Sequence, residues 1–159
     1  MKEIKLTNNQ IALVDDEDYP LLVRHTWYAQ KVPNTFYACT KTSTLGHIFM
    51  HRLICPSTKG KQVIDHINNN GLDNRKENLR LASWRENGLN NIKHRISSSL
   101  YKGVCKLKNG KWSANITIAP YKRFTIGTFS TELAAAMAYD LWAKDLYGEF
   151  AKLNFTPAI

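Results

Sequence analysis

Four polar side chains in one short stretch, Asp65, His66, Asn78 and Asn87, are of types suited to cutting a phosphodiester. That hydrolysis needs an activated water, a cation to neutralise charge growing on the phosphate and leaving oxygen, and a group that holds the base in orientation. His66, with an intrinsic pKa near ~6.5, can be neutral at working pH and accept a proton from water. Asp and Asn carry hard oxygen ligands, which suit Mg²⁺ or Mn²⁺ better than zinc. Asp65 and His66 are adjacent, so on a strand they point to opposite sides unless the strand ends or twists there. That arrangement puts a metal ligand and a base on two flanks of one phosphate.

The local signals around these residues predict a strand, a turn, a strand and a helix. Val63-Ile64 leads into Asp65 and His66, and Asn70-Gly71 is a turn signal because both residues tolerate positive φ. Asn78-Leu79-Arg80-Leu81 returns as a second strand. Ser83-Trp84-Arg85-Glu86 then has the capping-box pattern that opens a helix, so Asn87 belongs in its first turns. Upstream, residues 1–55 read as short strands divided by Asn8-Asn9, the acidic Asp15-Asp16-Glu17-Asp18, Pro33-Asn34 and Leu45-Gly46. The acidic run reads as a solvated turn and helix start rather than a metal site. Downstream, Tyr101–Leu107, Lys111–Ile118 and Arg123–Phe129 read as three strands, with a tight hairpin at Asn109-Gly110. Ser130 or Thr131 caps a helix over 132–147, with Leu133, Met137 and Leu141 along one face, Ala134, Ala135, Ala136 and Ala138 letting it sit close to the sheet, and Gly148 ending it.

Composition sets the class. The 159 residues suffice for one ordinary domain or two small ones, and 43% hydrophobic residues with 11% aromatic give material for packing. The net charge of +9, from 22 basic and 13 acidic residues, favours a polyanion partner, most simply nucleic acid. Cys39, Cys55 and Cys105 are widely spaced with no C-x-x-C pattern, which argues against a disulfide framework or a structural zinc site. No run approaches the ~20 apolar residues of a membrane span, and the first residues lack a signal-peptide apolar region. The expected compartment is the cytoplasm, at the nucleoid.

The order Asp65-His66, Asn78 within Lys76-Glu77-Asn78-Leu79-Arg80, and Asn87 within Arg85-Glu86-Asn87 resembles the HNH (ββα-metal) nuclease motif, particularly its phage homing-endonuclease branch. The resemblance implies that His66 is the general base, that Asp65 and Asn87 hold one divalent cation, and that Asn78 orients the motif and its histidine. It further implies 5′-phosphate and 3′-hydroxyl product ends. Met50-His51-Arg52-Leu53-Ile54 resembles the segment that often precedes this motif. His51 reads as a structural or phosphate-contacting residue rather than a catalytic one, and Arg52, Arg80 and Arg85 join it as candidate phosphate contacts. His25, His47 and His94 show no spacing for a shared metal.

Tyr101-Lys102-Gly103-Val104, Gly110-Lys111-Trp112, Ile126-Gly127-Thr128-Phe129, the run from Ala135 to Asp140, and Leu153-Asn154-Phe155 together resemble the plant ethylene-response-factor (APETALA-like) DNA-binding domain. In that family the three-stranded sheet lies in the major groove. The matching positions are Lys102, Lys111, Asn115, Thr117, Arg123 and Thr125. Cys105, Leu107 and Thr117 stand where arginines are usual, and Asn109 and Thr125 where tryptophans are usual, so the plant target sequence does not transfer.

The sequence therefore predicts an α+β chain: a nuclease domain over 1–95 with its ββα motif at about 62–92, a linker over 96–100, and a sheet-and-helix DNA-binding domain over 101–156. The expected function is metal-dependent cleavage of double-stranded DNA by a homing-type endonuclease with Mg²⁺ or Mn²⁺. The competing expectation is a non-catalytic DNA-binding regulator carrying a relic motif. No protein partner is expected, and a homodimer is left open.

Overall fold

The structure, a computed structural model, describes residues 1–42, 46–56, 62–90, 98–119 and 122–155. Among them, short strands dominate an α+β architecture of four small antiparallel sheets. The chain divides into two compact units, Met1–Asn87 and Gly88–Ile159. His94, Arg95, the start of the expected linker and the last residue of the expected carboxy-terminal domain lie outside the described residues.

In the first unit, β1 (Lys2–Lys5) and β2 (Ile11–Val14) pair antiparallel and turn Ile4, Ala12 and Val14 inward. The turn between them uses Asn9 at φ 60°, a conformation asparagine tolerates. The acidic run leads into α1 (Tyr19–Leu22), with proline in its first turn. A meander of β3 (Tyr28–Val32), β4 (Thr35–Thr42) and β5 (Gly46–Phe49) runs directly into α2 (Met50–Ile54). Val14, Leu22, Trp27 and Met50 are sealed in the core, and the Trp27 indole donates to the Leu22 carbonyl at 2.8 Å. Complete burial of a side chain such as Leu22 or Met50 contributes ~1.5–3 kcal/mol.

On this platform sit β6 (Gln62–His66) and β7 (Leu79–Ser83), paired antiparallel and followed by α3 (Trp84–Asn90). Ile64 of β6 packs against the same core, to which Leu72 and Leu79 belong. The edge of β2 pins the loop between the two strands: Leu13 N donates to Leu72 O at 2.9 Å, and Asn74 N donates to Leu13 O at 2.8 Å. The loop differs from expectation in one respect. Asn69 takes the positive φ, 64°, whereas Gly71 is needed for space, since a Cβ there would lie 2.4 Å from the Tyr37 ring and 2.5 Å from the Phe36 carbonyl.

In the second unit, β8 (Val104–Lys106), β9 (Trp112–Ala119) and β10 (Lys122–Phe129) form an antiparallel sheet ordered β10-β9-β8. One helix, α4 (Glu132–Tyr147), packs on it, capped by Thr131 Oγ1 accepting from Ala134 N at 3.2 Å. The helix meets the sheet through its alanine side, as Ala135 and Ala136 in the alanine run suggest, and not through the face that carries Leu133, Met137 and Leu141. Ala135, Ala136, Tyr139 and Ala143 are buried, while Leu133, Met137 and Leu141 are 51%, 55% and 72% exposed. Small side chains let the helix backbone approach the sheet, and Tyr139 fixes its rotation by lying on Gly103. A Cβ at Gly103, whose φ is +77°, would fall 1.9 Å from the Tyr139 ring.

Candidate functional site

The expected catalytic residues cluster at the end of β6, where the strand register sets Asp65 opposite Arg80 and His66 opposite Leu79. Asp65 and His66 are 5% and 4% exposed. Asp65 Oδ2 accepts from Arg80 Nε at 2.9 Å and Nη2 at 2.8 Å. Arg80, expected as a phosphate contact, is thus a largely buried partner of Asp65, its side chain 10% exposed.

Asn78 stitches the loop together. Its amide donates to the Asp73 carbonyl at 2.8 Å and its carbonyl oxygen accepts from Asn68 N at 3.0 Å, while Ile67 N donates to Asn78 O at 2.9 Å. Two further asparagines serve the loop's own backbone: Asn68 Oδ1 accepts from Asn70 N at 2.8 Å and Asn70 Oδ1 from Leu72 N at 3.1 Å. Asp73 takes a two-point bond from Arg75 at 2.8 and 2.7 Å, and that guanidinium holds its carboxyl below the usual carboxylate range. The stretch's polar density is therefore mostly scaffolding.

Burial lowers the pKa of His66, and Asn74, Asp65 and Asp73 oppose that shift. Its ring meets two others supplied by the upstream meander and α2: Tyr37 at 5.5 Å and His51 at 5.1 Å between centroids. His51 also lines a cleft of about 340 Å³ with Tyr37, Phe49, Arg52, Trp84 and Asn87. Asn87 reaches this cleft because α3 starts where the sequence places it. Ser83 Oγ accepts from Glu86 N at 3.2 Å and Glu86 Oε2 accepts from Ser83 N at 2.7 Å, the reciprocal bonds of a capping box. The structure thus brings His66 and His51 into contact and places His51 and Asn87 on one cleft. Asp65 and His66 stand behind its wall rather than among its lining residues.

Among the described residues no group of three or more His, Cys, Asp or Glu side chains converges. A Mg²⁺-type ion does not demand one, since it commonly takes one or two protein oxygens and completes its shell with water and substrate phosphate. Asp65 and Asn87 are oxygen donors of that kind, although Arg80 occupies one oxygen of Asp65. Tyr37 and Phe49 escape a reading of the sequence because nothing local links them to the motif. Gly71 is the available signal, as a close-packed backbone position requires a ring to fill it.

In the second unit, the register aligns Thr117 with Arg123 and Asn115 with Thr125. Lys111, Thr117, Arg123 and Thr125 are exposed. Asn115 is 9% exposed and its amide is engaged: it accepts from Thr125 Oγ1 at 3.0 Å and donates to Ser113 Oγ at 3.0 Å. Burial lowers the Lys102 ammonium to a pKa of about 8, and Asn154 holds its backbone through bonds of 2.6 and 3.1 Å. Asn154 is itself tied to Asp140 of α4 at 2.8 and 2.9 Å.

Comparison with known proteins agrees with this division. A family model described as HNH endonuclease matches residues 49–89, and one described as AP2 domain matches residues 99–149. The chain is 32% identical over 145 residues to an uncharacterised HNH endonuclease of Acanthamoeba polyphaga mimivirus, an overlap covering 90% of this chain and 74% of that protein. It is also 39% identical over 70 residues to an AP2/ERF and B3 domain-containing transcription repressor of Arabidopsis thaliana, and 46% identical over 55 residues to dehydration-responsive element-binding protein 2C of the same plant. Those two overlaps cover 44% and 34% of this chain, but only 19% and 16% of the plant proteins. The chain belongs to the HNH endonucleases and joins a nuclease domain to an AP2 DNA-binding domain. No helix among the described residues is long and apolar enough to cross a membrane.

Proposed function

We propose that the chain is a metal-dependent endonuclease of the homing type that hydrolyses phosphodiesters in double-stranded DNA, with its ββα element at β6, β7 and α3 as the cutting site. The observation that carries this reading is His66 at the end of β6, buried, with its neutral form favoured, beside the Asp65 carboxylate. A general base must offer an unprotonated ring nitrogen to the proton of water, and a nearby carboxylate favours the charged ring that results. Asn78 holds the loop that follows His66, which supports a positioning role.

Asp65 and Asn87 are the residues that would hold a divalent cation, Mg²⁺ or Mn²⁺, with Arg80 giving up part of its hold on Asp65. Such an ion supplies charge neutralisation at the phosphate and leaving oxygen. The chain's own groups do the rest: His66 accepts the proton of the attacking water, and the cleft-facing Arg52, with Arg85 on α3, offers positive charge to the DNA backbone. In the carboxy-terminal domain, Lys111, Thr117, Arg123 and Thr125 form the exposed sheet face offered to DNA. The engaged amide of Asn115 fits a role in shaping that face, and Lys102 one at its buried end. A second tethered DNA-binding unit raises affinity and site choice through effective concentration. Incubation of supercoiled DNA with the full chain tests the reading: nicked or linear product with 5′-phosphate ends is expected in Mg²⁺ or Mn²⁺, and none after chelation. Binding without cutting in either ion would return the chain to a DNA-binding regulator.

A further inference from the structure

His51 in the cleft lining touches His66 behind it, and only His66 has a role in the reading above. His51 lies in the first turn of α2 and is 8% exposed, yet its ring makes aromatic contacts and no hydrogen bond among the described residues. Those contacts hold it from three sides. Phe49 stacks on it at 5.4 Å and 5° between planes, Tyr37 meets it edge-on at 5.5 Å and 71°, and His66 at 5.1 Å and 81°. Its remaining side is part of the cleft wall that Asn87 and Arg52 share. A buried polar side chain without a hydrogen-bond partner costs desolvation that no contact offsets. A ring serving only as packing would be better supplied by phenylalanine.

The surroundings also separate the two rings by charge. Carboxylates of Asp65 and Asp73 act on His66 in favour of its protonated form. Burial takes the pKa of His51 down to about 3, helped by the charges of His66 and Arg52, both opposed to protonation. His51 is therefore a poor proton acceptor and a poor cation at neutral pH. A neutral imidazole still has one N–H to donate, and a donor fixed by packing is well suited to an anionic oxygen.

We propose that His51 donates its ring N–H to a non-bridging oxygen of the scissile phosphodiester, as a second functional histidine distinct from the base His66. This rests on the nuclease reading and assigns the substrate contact within it. The step moves no proton from His51: the ring remains neutral throughout, and the hydrogen bond strengthens as charge builds on the phosphate oxygen.

The test uses the full chain on a duplex containing its mapped cleavage site, in single-turnover mode. His51→Phe keeps the ring packing and removes the donor, whereas His51→Gln keeps a donor. We expect roughly 10²-fold slower cleavage for the first, with less than about threefold change in DNA affinity, and most of the wild-type rate for the second. A shared urea midpoint verifies that the variants fold. Should His51→Phe fail to fold, the wild type alone decides through a pair of phosphorothioate diastereomers at the scissile position. One diastereomer is expected to be cut more slowly, with no rescue by Mn²⁺ or Cd²⁺, because the lost partner is a hydrogen bond rather than a metal. Wild-type cleavage that His51→Phe leaves unchanged, or sulfur defects that thiophilic ions fully relieve, would overturn the assignment while leaving the nuclease reading intact. Absence of metal-dependent cleavage by the wild type would remove both.

Discussion

The two units differ in where the side chains assigned to function lie. The nuclease unit buries polar side chains, His51, Asp65, His66, Asp73, Asn74 and Asn78 among them, and holds several in place with loop backbone bonds or ion pairs. The AP2 unit keeps Lys111, Thr117 and Arg123 in solvent and exposes the apolar Leu133, Met137 and Leu141 of α4. Catalysis requires fixed groups in a water-poor site, and fixing them costs desolvation. Contact with a charged polymer requires long side chains free to meet phosphates and bases. The difference makes the first unit electrostatically fragile and the second tolerant of surface change.

The largest effect is expected from breaking the buried ion pair. Arg80→Ala leaves Asp65 without its two-point partner and should destabilise the nuclease unit by ~3–5 kcal/mol, read from its urea transition. Replacing Asp65 and Arg80 together by apolar residues should cost much less. Equal losses for the single and double variants would mean that the guanidinium acts through packing rather than charge.

Acid should produce the next effect, and in the first unit alone. The folded chain holds His51 at a pKa of about 3 against ~6.5 when unfolded, so protonation favours unfolding. Its contribution is intact above pH ~6.5 and is lost as pH falls toward 3, by up to ~1.4 kcal/mol per pH unit. His66, also lowered, adds to the same trend. The described residues of the second unit contain no histidine, so its midpoint should not share this slope between pH ~7 and ~5. Parallel pH profiles of the two transitions would refute the contrast.

The smallest effect belongs to α4. Leu141→Lys should shift thermal stability by no more than about 0.5 kcal/mol, because the side chain is 72% exposed. A loss of about 2 kcal/mol or more in the isolated monomer, the size typical of a buried position, would show that this face is covered.

The site is legible in the sequence wherever the signals are local. The capping box at Ser83 and Glu86 announces α3 and Asn87, and Asp65-His66 sits at the end of a strand as read. The aromatic surroundings are hidden because Tyr37, Phe49 and His51 come from the upstream meander and α2, and only tertiary packing brings their rings to His66. The role of Arg80 is hidden for a related reason, since cross-strand register decides whether a guanidinium meets a carboxylate or solvent. On α4 the alanine run marks the side that approaches the sheet, while the evenly spaced Leu133, Met137 and Leu141 mark a face that stays exposed. Close approach to Gly103 selects the alanine face, and size outweighs hydrophobicity.

His66 as the base of a metal-dependent cut is tested most directly by the single-turnover nicking rate of supercoiled DNA by the wild type and His66→Ala in saturating Mg²⁺. A fall of roughly 10²-fold or more, with DNA binding retained in a gel-shift titration, is the predicted result. Equal rates for the two proteins would contradict it.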